Sequence, residues 1–198
     1  DVPNATTYWA SKDARTTFQS LRGVGSPHPY SYSPVISDDG HYVAFQVSRP
    51  LTQITTGLVL RYDLIGDATQ VAGTNAFIAN QRFGELQNLE ITPDGGKILF
   101  VANEPQTTSG TTSVYLWDAT TQIQELISGN VSNVVFVTSM YYAPTFDSTG
   151  SNVLFLSIIS NMVTHNLVGQ HHLYCRNLNT WELVLLDADA NGTGLPLT

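Results

Sequence analysis

The sequence predicts an all-β fold of repeated four-stranded antiparallel sheet modules, and three observations lead there. Gly40, Gly95 and Gly150 stand 55 residues apart, and so do Phe45, Phe100 and Phe155. The same frame surrounds each glycine: Ile36-Ser37-Asp38-Asp39-Gly40 runs to Val43-Ala44-Phe45, Ile91-Thr92-Pro93-Asp94-Gly95 to Ile98-Leu99-Phe100, and Phe146-Asp147-Ser148-Thr149-Gly150 to Val153-Leu154-Phe155. Only 12% of the 198 residues are charged, about half the usual ~25%, and Thr, Ser, Asn and Gln take the polar positions. A period near 50 residues, made of short apolar runs around a polar turn, marks a repeated sheet module. No window carries a long apolar rhythm at helical spacing.

Each repeat reads as four strands. In the first, Pro34–Ile36 meets a tight turn at Asp38-Asp39-Gly40, read as a two-residue hairpin in which glycine supplies the positive φ. The second strand, His41–Ser48, is apolar on both alternating faces, as expected where neighbouring sheets cover both sides. Leu58–Asp63 and Thr69–Ala72, joined at Gly66-Asp67, complete the unit. The second repeat gives Leu89–Ile91, Lys97–Ala102, Ser113–Asp118 and Gln122–Ile127. The third gives Pro144–Phe146, Asn152–Ile159, His172–Asn177 and Trp181–Leu186, with a four-residue insertion around His165 before its third strand. The first 32 residues fit the latter half of a unit, with Thr7–Ala10 as a third strand and Thr16–Leu21 as a fourth. Ala188–Thr198 reads as a connector toward a further first strand.

Thr92-Pro93-Asp94-Gly95-Gly96-Lys97-Ile98-Leu99-Phe100 resembles the repeat of TolB-type, WD-like β-propellers. Ser37-Asp38-Asp39-Gly40 departs by Asp for Pro, and Asp147-Ser148-Thr149-Gly150 keeps only the glycine. The resemblance covers residues 33–187 and implies a partial β-propeller of about three and a half blades. The implied division is a half blade with its connector at 1–32, blades at 33–87 and 88–141, and a blade plus connector at 142–198. The repeat residues make turns and sheet packing, so they are nearly silent on function. Members of the family serve as secreted or periplasmic scaffolds, and similar propellers occur in peptidases and polysaccharide lyases.

The net charge of −8, from eight Lys plus Arg against sixteen Asp plus Glu, supplies no basic face for a phosphate backbone, so nucleic acid is not an expected partner. No apolar stretch approaches the ~18 residues of a membrane span, and membrane insertion is not expected. The single cysteine, Cys175, excludes an intrachain disulfide and a thiolate metal cluster, and its mid-strand place makes it a passive strand residue. The opening Asp1-Val2-Pro3-Asn4 reads as a processed or trimmed chain.

No nucleophile elbow, zinc-protease helix or phosphate loop occurs, so no catalytic residue and no cofactor are assigned. His171 and His172 are strand neighbours that point to opposite faces and do not chelate one ion. Asp38, Asp39, Asp94 and Asp147 read as turn residues bonding their own backbone. Asp187, Asp189 and Asn191 form the best calcium candidate. Three Asn-x-Ser/Thr triplets, at Asn4, Asn130 and Asn191, act as glycosylation sites only in a eukaryotic secretory chain.

Ligand contacts are expected on the face formed by the second-to-third-strand loops and the connectors, where His28, Tyr30, Tyr32, Arg49, Arg82, Phe83, Tyr141, Tyr142 and His165 gather. Aromatic faces with a few donors suit a sugar or a peptide. The ionisable residues there, Arg49, Arg82, Glu104 and His165, are scattered one per loop. The leading functional expectation is a non-catalytic, secreted, periplasmic or cell-surface scaffold for a protein or glycan, its ring completed by further blades of a longer chain or by other subunits. The alternative is a fragment of a propeller enzyme, either a carbohydrate-active lyase or the propeller of a serine peptidase.

Overall fold

The computed structural model describes residues 6–23, 28–49, 55–78, 88–103, 112–129, 141–159, 162–164, 166–169, 171–189 and 191–194. Three successive antiparallel meanders follow one helix. The first contains β1 (Tyr30–Ile36), β2 (Tyr42–Ser48), β3 (Thr55–Asp63) and β4 (Ala68–Ile78). The second contains β5 (Leu89–Ile91), β6 (Lys97–Asn103), β7 (Thr112–Asp118) and β8 (Gln124–Leu126). The third contains β9 (Tyr141–Phe146), β10 (Asn152–Ser157), β11 (His172–Asn177) and β12 (Leu183–Leu185). The central strands fall where the periodicity places them.

The first strands of the meanders lie next to one another. β5 packs between β1 and β9, and Glu90 on β5 accepts hydrogen bonds from the Thr145 hydroxyl at 3.0 Å and the Phe146 N–H on β9. The alternation of each second strand sends its two faces to different neighbours. On β6, Ile98, Phe100 and Ala102 pack with Ala44, Val59, Ala72 and Ala76 of the first meander. Leu99 and Val101 pack with Val153, Phe155, Tyr174 and Leu185 of the third. Phe45, Ile98, Phe100, Val153 and Phe155 are buried as expected, and Val43 is half-buried.

The hairpin turn repeats in atomic detail. Ser37 N–H donates to Tyr42 O, Thr92 N–H to Lys97 O and Asp147 N–H to Asn152 O. Each bond encloses four residues, so these are four-residue loops rather than two-residue hairpins. Gly40, Gly95 and Gly150 sit at φ of 72°, 68° and 67°, a left-handed conformation that costs a side-chain-bearing residue about 1–2 kcal/mol. A second repeated device follows the third strand: Asp63, Asp118 and Asn177 each accept two backbone N–H groups from the turn just beyond them. That shared role explains why an aspartate or asparagine ends every third strand.

The N-terminal segment corrects the expected half blade. Thr16–Leu21 is no strand but part of helix α1, Ala14–Arg22. Its buried residues, Ala14 and Phe18, stand one turn apart and pack on Phe45, Val47, Leu58, Leu60 and Tyr62. Lys12 pairs with Asp67, the Thr69 hydroxyl donates to Asp13 at 2.8 Å, and Arg22 donates to the Thr74 carbonyl. The helix thus covers the outer face of the first meander. At the other end, Leu154, Leu156, Leu173 and Cys175 are half-buried and Val184 is exposed on the far side of the third meander. No helix among the described residues is long and apolar enough to cross a membrane.

β4 is longer than the expected Thr69–Ala72. It continues past register shifts near Gly73, so that Thr55–Gly57 pair with Ala76–Ile78 and Ala76 meets Ala102 of β6. At Gly73 an added Cβ would lie 2.8 Å from the Phe100 ring, so glycine there permits close approach of the two meanders.

Candidate functional site

Strand register defines the two ends of the molecule. Tyr30 lies opposite Ser48, Thr55 opposite Ile78, Asn103 opposite Thr112, and Ser157 opposite both Tyr141 and His172. One end therefore carries the ends of the second strands and the starts of the first and third strands. The opposite end carries the four-residue hairpins.

Among the expected ligand residues, Tyr30 is 55% exposed and Tyr32 is half-buried. Their rings lie 6.3 Å apart at a 42° tilt. Burial pushes the Tyr32 hydroxyl above its ordinary pKa, Tyr30 adds to the rise, and a hydrogen bond with Ser48 opposes it. His28 is exposed just before β1. Arg49 is exposed at the end of β2 and lines a cleft of about 350 Å³ with Phe18, Arg22 and Thr56. Tyr141 and Tyr142 open β9 at this same end, with their side chains outside the described structure. Arg82, Phe83, Glu104 and His165 lie outside the described residues. The structure thus brings Tyr30 and Tyr32 into ring contact and puts Arg49 at the same end.

The turn carboxylates are occupied by their own backbone. Asp39 accepts from the Ser37 hydroxyl at 2.5 Å and His41 N–H at 3.0 Å, and Asp94 from the Thr92 hydroxyl at 2.6 Å and Gly96 N–H at 2.9 Å. These bonds hold both carboxyls below the usual range, the hydroxyl donors contributing most. Asp147 is pulled down to about 2, chiefly by the Asn152 side chain. Asp118 is pulled down to about 2, chiefly by Lys97, whose ammonium lies 2.5 Å away. Such groups make turns; they are poor proton donors near neutrality.

Among the described residues, one buried titratable pair was beyond sequence reading. His172 Nδ1 lies 3.0 Å from Asp187 Oδ2, with side chains only 2% and 8% exposed. His172 Nε2 and Asp187 Oδ1 are buried without a hydrogen-bond partner. Ser157, wholly buried, stands opposite His172 across the β10–β11 pair. Serine, histidine and aspartate are the residue types of a hydrolytic triad, but the geometry is not one. Triad action needs a serine–histidine hydrogen bond at a solvent-reachable nucleophile. Here Ser157 Oγ takes the Ile159 N–H at 3.1 Å while Nε2 has no partner.

That pairing also gives Asp187 of the calcium candidate a structural role. Asp189 Oδ1 accepts N–H groups of Asn191 and Thr193 at 2.9 and 2.7 Å, so it too shapes a turn. Among the described residues no group of three or more His, Cys, Asp or Glu side chains is placed to hold a metal ion. His171 is exposed while His172 is buried, as their alternation requires. Burial raises the pKa of the half-buried Cys175 thiol, which keeps it protonated and weakly nucleophilic.

Two buried arginines tie the meanders together. Arg61 Nε donates to the Gly95 carbonyl at 2.8 Å and its guanidinium stacks 3.6 Å from the Tyr42 ring centroid. Arg176 donates to the carbonyls of Ile127 at 3.1 Å, Trp181 at 2.7 Å and Gly129. Burial lowers the pKa of Arg176.

No protein-family model matches the sequence, and a search of curated proteins finds no match. Solved structures do show likeness. The tricorn protease aligns at a TM-score of 0.52 and 13% identity, over 79% of this chain and 14% of that one. The β-propeller domain of the Trilobed protease from Pyrococcus furiosus aligns at 0.52 and 15%, over 79% of this chain and 41% of that one. TolB from Acinetobacter baumannii aligns at 0.48 and 16%, over 82% and 36%, too distant to carry the TolB-type repeat over to this chain. The fold is therefore of β-propeller kind, and this chain spans 14% to 41% of these proteins' lengths.

Proposed function

We propose that the chain is a segment of a TolB-like, WD-like β-propeller that works as a non-catalytic binding scaffold for a protein or a glycan. In this reading the three meanders are blades of a repeat of about 55 residues, α1 caps the first, and further blades of the same polypeptide or of other subunits continue beyond the third. The setting is secreted, periplasmic or cell-surface. The observation that carries the reading is the use made of ionisable side chains. Asp39, Asp63, Asp94, Asp118, Asp147 and Asp189 bind turn N–H groups, Arg61 and Arg176 join blades, and His172 with Asp187 is sealed in the core.

Recognition then falls to the loop end, where Tyr30 offers an exposed ring beside Tyr32. Flat aromatic faces stack on sugars or side chains while nearby donors fix orientation. Binding on glycan and peptide arrays, lost in Tyr30→Ala, Arg82→Ala and His165→Ala at unchanged melting temperature, supports this reading. Equal binding by these variants rejects it.

A second reading rests on the likeness to two proteases of which this chain spans only part. There the chain is a piece of a propeller enzyme whose chemistry lies in another segment. A hydrolase or lyase domain in the full-length gene decides for it.

A further inference from the structure

The hairpin end carries an opening at the junction between the second and third meanders, and the first junction shows one way such a space is filled. At the first junction three devices close the space between adjacent hairpins. Asp38 N–H donates to the Pro93 carbonyl at 2.9 Å. The Tyr42 ring lies against Gly95, so close that an added Cβ would stand 2.2 Å from it. Arg61 stacks on the other face of that space, 3.6 Å from the Tyr42 centroid, and donates to the Gly95 carbonyl.

One repeat later all three are gone. Asp38 becomes Pro93, which has no N–H to give the Ser148 carbonyl. Tyr42 becomes Lys97, drawn to Asp118 at 2.5 Å. Arg61, which faces Ala44 across the β2–β3 pair, becomes Leu116, which faces Leu99 and is buried in the core. Above Gly150 an added Cβ would have, among the described residues beyond its chain neighbours, only Thr92 within 4 Å. What remains is a groove of about 470 Å³ whose walls include Pro93, Asp94, Lys97, Asp118, Ser148 and Gly150.

We propose that this groove binds an extended peptide segment carrying an arginine. The groove lacks what the first junction contains: a backbone N–H directed at the carbonyl of the facing hairpin, and a planar guanidinium bonding the carbonyl of the turn glycine. A peptide N–H supplies the first to Ser148 and an arginine supplies the second to Gly150. Asp94 and Asp118 against the single Lys97 leave the walls net negative, which favours a cation. Arginine suits the slot better than lysine because its planar fork bonds a carbonyl and a carboxylate together. This site lies at the opposite end from Tyr30 and stands independently of the loop-face reading.

The test is a titration of the 198-residue chain with acetyl-Ala-Arg-Ala-amide, followed by amide chemical shifts. Expected are saturable shifts at Gly96, Lys97 and Ser148–Gly150, at least about tenfold weaker binding when citrulline replaces arginine, and weaker binding with lysine. Pro93→Asp with Lys97→Tyr rebuilds two of the three closing devices and should abolish the shifts; Ser148→Trp, on an exposed turn, fills the groove if that double variant fails to fold. Equal binding of the citrulline peptide, undiminished binding by the filled variants, or no saturable shift in the unmodified chain overturns the proposal. Binding of free arginine amide as tight as that of the peptide identifies a small guanidinium site and also overturns it.

Discussion

Gly40, Gly95 and Gly150 share one backbone conformation but differ in the space around them, which separates two costs that are normally confounded. Alanine at any of the three must hold a φ near +70°, at about 1–2 kcal/mol. Among the described residues, and leaving out chain neighbours, nothing lies within 4 Å of the new Cβ at Gly40, while the Thr92 methyl lies at 3.1 Å at Gly150 and the Tyr42 ring at 2.2 Å at Gly95. The Thr92 contact needs a shift of a few tenths of an ångström. The Tyr42 contact cannot be relieved without moving a ring stacked on Arg61, and overpacking of that kind adds about 1–3 kcal/mol. Gly40→Ala should therefore cost about 1 kcal/mol, Gly150→Ala slightly more, and Gly95→Ala about 3 kcal/mol. Urea unfolding followed by tryptophan fluorescence measures the series. Removing the ring with Tyr42→Ala should bring Gly95→Ala close to the Gly40→Ala cost. Equal costs at all three positions would refute the idea that Gly95 is required for close approach as well as for conformation.

Other perturbations follow from the same geometry. Arg176→Ala strands the carbonyls of Ile127, Gly129 and Trp181 and leaves a cavity, for a loss of about 3 kcal/mol in chemical denaturation; a loss below about 1 kcal/mol would contradict a stapling role. Phe18→Ala removes the main anchor of α1 and should cost about 3 kcal/mol while making the helix the first site of limited proteolysis; protection of the helix in that variant would argue against its docking through Phe18. The carboxyls of Asp118 and Asp147, depressed to about 2 when folded from an unfolded value near ~3.9, contribute stability that is complete above about pH 4 and is lost as pH falls toward 2. Acid titration of the unfolding midpoint should show that loss, and Asp147→Asn should flatten it; a midpoint constant between pH 4 and 2 would contradict the assignment.

Much of the fold was legible because a sheet strand covered on both sides must be apolar at every position, and a hairpin between such strands must turn within a few residues. Phe45, Phe100 and Phe155 and their glycines mark both constraints at a constant period. Helix α1 was not legible: Thr16-Thr17-Phe18 has strand propensity, and the helix is held by tertiary contacts of Ala14 and Phe18. The spacing of Ala10, Ala14 and Phe18, each four residues from the next, was the available signal, and all three pack on or within one core cluster. Hairpin length was misread because the glycine alone does not distinguish a two-residue from a four-residue loop. The His172–Asp187 pair joins the first residue of β11 to a residue two beyond the end of β12, so only the β11–β12 register could bring it together. At the loop end, the end-of-sheet placement of Tyr30 and Arg49 followed from strand order, whereas contact between specific side chains did not.

The unequal junctions leave a groove at one hairpin junction while the core beneath it stays buried. At the first junction the closing contacts sit at the hairpin end, through Asp38, Tyr42 and Arg61. At the second they have moved: Glu90 ties the inner strands through Thr145 and Phe146, and Arg176 ties the third meander to the residues following β8. Beneath the open hairpins Leu99, Val101, Leu116, Val153 and Phe155 remain buried. Leu116 adds apolar contact where Arg61 had given polar ones. Contacts in the core and at the edges hold the second junction together, so Pro93 and Lys97, which match the repeat, can leave a polar groove where Asp38 and Tyr42 close the neighbouring junction.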